Sequence, residues 1–99
     1  MKYNLIVLKV FSEQVKKLDS KTRLLIHEKI QLIKENPYRY KKIHSKKYSK
    51  VFRVRISIKS KESRLIYTII EPNVILVCLL DRKKDYKDLE KYLNKIKNK

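Results

Sequence analysis

Between Val51 and Tyr86 the chain reads VFRVRISIKSKESRLIYTIIEPNVILVCLLDRKKDY, and its first nine residues constrain the fold most. Phe52, Val54, Ile56 and Ile58 alternate with Arg53, Arg55, Ser57 and Lys59. A strand sends successive side chains to opposite faces, so this spacing buries one set and displays the other. Arg53 and Arg55 then stand side by side on a polar sheet face. Two more strands are predicted over about 64–71 and 73–80, after a polar, glycine-free turn at Lys59–Ser63. Glu71-Pro72-Asn73 suits a tight turn between them. Val74 to Leu80 is apolar on both faces, which predicts a strand that is central or covered on both sides.

The rest of the chain supplies cover for this sheet. Residues 3–9, YNLIVLK, read as a first strand. FSEQVKKL follows as a short helix with Phe11, Val15 and Leu18 on one face. A second helix begins at Asp19 or Ser20 and runs to about Glu35, with Leu25, Ile26, Ile30, Leu32 and Ile33 as its apolar stripe. Asn36-Pro37 stops it, because a residue before proline is pushed out of helical dihedrals. A last helix from Asp85 places Tyr86, Leu89, Leu93 and Ile96 at helical spacing. The order β-α-α-β-β-β-α segregates helices from strands. It predicts one α+β domain over residues 1–99, a helix hairpin packed on an antiparallel sheet.

Composition narrows the function. No apolar run reaches the roughly 18 residues of a membrane span, and the N-terminal apolar run lacks a cleavage site, so it is read as a strand and not a signal peptide. Cys78, the single cysteine, lies in VILVCLL and is read as a small buried hydrophobe; it offers neither a disulfide nor a cysteine-based zinc site and suits a reducing cytoplasm. The chain has no glycine, hence no glycine-rich phosphate loop. His27 and His44 are far apart and the acidic residues scattered, so no metal or cofactor is expected. The net charge of +17 points to a polyanion. Of the 27 basic residues 21 are lysine, and the positions of the six arginines carry more information than the lysine count.

Two segments gather that charge. The connector over 37–50, PYRYKKIHSKKYSK, interleaves three tyrosines with seven basic residues, a mixture that suits base stacking and phosphate contact. Its candidate RNA contacts are Tyr40, Lys41, Lys42, His44, Lys46, Lys47 and Lys50. The second group is Arg53, Arg55, Arg64 and Arg82 with Tyr86. If the three strands pair as two hairpins, these converge on one side, where guanidinium groups can hold a phosphate and stabilise charge building on phosphorus.

With FRVRI (52–56), RLIY (64–67) and DRKKDY (81–86) in this order after a helix hairpin, nearly the whole chain resembles the RelE/ParE toxin superfamily of toxin–antitoxin systems. RelE-like members cut messenger RNA in the ribosomal A site without metal, the ribose 2′-hydroxyl attacking the adjacent phosphate. The resemblance implies that Arg53 and Arg55 take the first basic pair, Arg64 the phosphate-binding arginine and Tyr86 the base-stacking tyrosine, with Arg82 beside it. It also implies an acidic antitoxin partner, with mRNA and the ribosome as targets. The sequence departs from the pattern in its glycine-free KSKES turn and in having arginine where lysines are usual in the first pair. Arginine stays protonated and makes a poor base, which leaves that role to Tyr86, His44 or a ribosomal group. Two other functions suit the same chain: a ParE-like inhibitor of DNA gyrase with no chemistry of its own, and a basic RNA-binding domain without activity.

Overall fold

The computed structural model describes residues 3–81 and 88–96. The elements run β1 (Asn4–Val7), α1 (Lys9–Lys16), α2 (Ser20–Glu35), β2 (Lys41–Ile43), β3 (Val51–Ile58), β4 (Lys61–Ile70), β5 (Asn73–Asp81) and α3 (Leu89–Leu93). The five strands form one sheet in the order β1-β5-β4-β3-β2. The α+β reading and the helix hairpin hold, with two additions. β1 pairs β5 in parallel, so the sheet is mixed. The connector contributes a three-residue strand, β2, antiparallel to β3.

Local chemistry explains the helix hairpin. Asp19 caps α2, its side chain accepting from the Thr22 backbone N–H at 3.1 Å. Hydrogen bonds from Thr22 hold that carboxyl below the usual carboxylate range. Phe11 of α1 and Thr22, Ile26 and Ile33 of α2 are buried. Leu32, predicted to share that stripe, is 38% exposed and lies outside it. Gln14 of α1 reaches β5 beyond the end of β1: its Nε2 donates to the Leu79 carbonyl at 3.0 Å, and its Oε1 accepts from the Leu79 N–H at 2.7 Å.

The sheet separates two cores. Phe52, Val54 and Ile56 of β3 join Leu65, Tyr67, Ile69, Val74 and Leu76 beneath the helix hairpin. On the other face Val51, Ile66, Ile75, Val77, Cys78 and Leu80 pack with Leu89, Leu93 and Ile96 at the C-terminal end. A bulge makes this division possible on β5. Ile66 faces Cys78 while Tyr67 faces Leu76, so Val77 is the extra residue. Val77 and Cys78, adjacent in sequence, therefore both serve the second core. The strand predicted to be apolar on both faces is indeed covered on both. Burial pushes the Cys78 thiol up to about 12. We expect a thiol reagent at near-neutral pH to label Cys78 only after denaturation; rapid labelling of the folded chain would contradict this packing.

The β3–β4 turn is tighter than the sequence suggests. Ile58 pairs with Lys61, leaving Lys59 and Ser60 as a two-residue loop. Both have positive φ, 50° and 66°. A two-residue hairpin loop of this kind needs positive φ at both positions, which favours glycine or asparagine. Ser60→Gly should therefore raise the unfolding free energy by about 1 kcal/mol, read as a higher urea midpoint at unchanged m-value. The turn between β4 and β5 contains a cis Glu71-Pro72 bond.

Candidate nucleic-acid interface

Because β4 begins at Lys61, Arg64 is its fourth residue and not its first. The register then sets Arg64 directly opposite Arg55, and Lys41 opposite Arg53. Directly opposed residues of antiparallel strands share a face, so Lys41, Arg53, Arg55 and Arg64 form one cationic floor across three strands. It lies on the face that α3 covers at β5, beside the packed residues and not above the helix hairpin. Its depth is graded: Arg55 is exposed, Arg53 half-buried and Arg64 9% exposed.

Glu62, two residues before Arg64 and opposite Ser57, shares this face. Its Oε1 lies 3.7 Å from Nη2 of Arg64. The sequence carried this signal, since residues two apart on a strand face the same way, but reading Lys59–Ser63 as a loop concealed it. At the Arg55–Arg64 step two arginines stand directly opposite, with Glu62 beside Arg64. Like charges directly opposite in a sheet are destabilising, and an anion across both guanidinium groups would relieve that repulsion.

The connector residues divide. Tyr40 packs against the core under the helix hairpin, and Lys42, opposite Phe52, belongs to that same face. Beyond β2 the chain leaves the floor. Ile43, the residue before His44, stands opposite Val51. Val51 is four residues from Arg55, roughly 13 Å along the strand. His44 is thus displaced from the Arg55–Arg64 pair. Next, Glu90 of α3 fastens the loop: its Oε1 accepts from the Ser45 hydroxyl and its Oε2 from the Lys46 N–H, both at 3.2 Å. Lys47 donates to Asn94 Oδ1, also at 3.2 Å. Lys50 lies elsewhere, its Nζ 3.3 Å from the Tyr38 hydroxyl and 5.4 Å from that ring's centroid. Tyr38 in turn donates to Glu71 and meets Phe52 edge-on. Arg82 and Tyr86, predicted to join this group, lie outside the described residues.

The chain has the fold of the Escherichia coli toxin RelE. An arginine-to-alanine double mutant of RelE in the free state superposes with a TM-score of 0.76 over 98% of this chain and 100% of that one, at 18% identity. The isolated toxin gives 0.65 over 92% and 98% at 21% identity. The intact E. coli RelBE toxin–antitoxin complex gives 0.63 over 80% and 95% at 19% identity. No family model matches the sequence, and no curated protein matches it. Among the described residues, no helix is long and apolar enough to cross a membrane.

Proposed function

We propose that the protein is the toxin of a toxin–antitoxin pair and cleaves messenger RNA on the ribosome. The cross-strand pairing of Arg55 with Arg64 carries this reading. Two arginines paired across adjacent strands on one sheet face favour an anion beside them, and the phosphate of an RNA backbone supplies one. In the proposed step the ribose 2′-oxygen bonds to phosphorus and the bond to the 5′-oxygen breaks, that oxygen taking a proton from solvent to leave a 5′-hydroxyl on one fragment and a 2′,3′-cyclic phosphate on the other. Arg64, seated deepest and ion-paired with Glu62, is the group best fixed to meet charge as it develops on the phosphoryl oxygens. Arg55 shares that phosphate from the neighbouring strand, and Arg53 binds a flanking one. The proton of the 2′-hydroxyl needs an acceptor other than these arginines. His44 stands too far along the sheet, so Tyr86 or a ribosomal group takes that part.

The E. coli RelE structures include its complex with the antitoxin RelB, and a net charge of +17 would draw an acidic antitoxin to this chain as well. The test is translation of a reporter in the presence of the purified protein, with message ends mapped. Cuts within the A-site codon are expected. Intact messages combined with inhibited supercoiling by DNA gyrase would replace this reading with the ParE-like one. Intact messages and unaffected gyrase would leave an RNA-binding domain.

A further inference from the structure

Resting on that reading of the floor, we propose a second nucleotide subsite that wraps the free edge of β3. β2 pairs only with Val51–Arg53, so among the described residues no strand covers the outer edge of β3 from Val54 onward. A cavity of about 330 Å³ opens there, lined by Lys29, Tyr40, Lys41, Arg53, Val54 and Arg55. It joins the two sides of the sheet. Lys41, Arg53 and Arg55 reach it from the floor, while Tyr40 and Lys29 of α2 reach it from the helix-hairpin side. A polyanion lying on the floor therefore meets no boundary at β3; its cations continue around the edge to Lys29.

The composition of the cavity selects its occupant. Four of its six lining residues are cationic, and Tyr40 supplies a half-buried aromatic ring with the Arg39 guanidinium 5.8 Å from its centroid. Cations bind any anion, but a ring set among them suits a group that is flat as well as charged. Single-stranded RNA meets both demands, with a phosphate on Lys29 and the attached base on Tyr40. An acidic peptide would use the cations and leave the ring idle. The subsite thus takes one nucleotide of the strand beyond those on the floor, and it turns the message around the sheet edge toward α2.

Anisotropy titrations with a short single-stranded RNA, 2′-O-methylated throughout to prevent cleavage, test this across salt concentrations. Lys29→Gln should weaken binding about fivefold at roughly 0.1 M salt and reduce the slope of log K against log salt by about 0.7, the signature of one lost phosphate contact. Tyr40→Leu should cost about fivefold or more with the slope unchanged. Lys9→Gln, an exposed lysine at the start of α1 and away from the cavity, sets the effect of removing one charge from the whole molecule. If Lys29→Gln matches Lys9→Gln while Arg55→Gln binds weakly, the edge subsite is wrong and the floor stands. If Arg55→Gln also matches Lys9→Gln, the floor reading fails with it. A polyglutamate peptide whose binding needs Lys29, where RNA binding does not, would overturn the assignment to RNA.

Discussion

Arg64→Ala should lower message cleavage by about 10²–10³-fold, the cost of removing one fixed group that stabilises charge in the transition state. Its affinity for a non-cleavable RNA should fall far less, about fivefold at roughly 0.1 M salt for one phosphate contact. The gap between those two losses separates catalysis from binding. Equal losses would make Arg64 one more phosphate contact and withdraw its role in the chemical step. Arg64→Lys keeps the charge but not the planar fork, so it should recover binding more fully than cleavage. Because Arg64 is largely buried and ion-paired with Glu62, each variant needs a urea denaturation curve beside its rate.

Phe52→Ala should destabilise the fold by about 3–5 kcal/mol. The ring is 4% exposed, lies against Tyr67 at 5.5 Å with the planes 11° apart, and meets Tyr38 edge-on at 5.9 Å. Tyr67 is itself anchored, its hydroxyl donating to the Pro37 carbonyl at 2.5 Å, and burial pushes its phenol pKa up. Removing Phe52 opens a void at the centre of this row, directly behind the strand that presents Arg53 and Arg55. A fall in melting temperature on the order of 20 °C is expected for a chain of this size, measured by calorimetry. A loss under about 1 kcal/mol would mean that the helix hairpin collapses onto the void.

The parts of the fold that were legible in the sequence rest on local periodicity. Phe52, Val54 and Ile56 alternate with Arg53 and Arg55 because one face of β3 is dry and the other is not, and composition records that contrast directly. Leu89, Leu93 and Ile96 gave the docking stripe of the C-terminal segment in the same way, and all three are buried. The start of β4 was not legible. Lys61, Glu62 and Ser63 are polar and follow a turn without glycine, so nothing local marks them as a strand; pairing with Ile58, Ser57 and Ile56 makes them one. β2 was hidden for a similar reason, since three residues of mixed character become a strand only against Val51–Arg53. The parallel pairing of β1 with β5 joins segments some seventy residues apart, which no short-range pattern can encode. At the candidate site, the shared face of Arg53 and Arg55 followed from spacing alone. The opposition of Arg55 and Arg64, and the approach of Lys29 to the β3 edge, required the register and the helix packing.

The Gln14 amide has a role besides joining α1 to β5. β1 accompanies β5 only from Asn73 to Leu76, so the outer backbone at Leu79 would present an open donor and acceptor to any passing strand. Such edges invite sheet-to-sheet association between molecules. Gln14 occupies both groups with a single side chain. It acts as a one-residue substitute for the missing end of β1 and keeps that edge of β5 from recruiting a strand of another molecule.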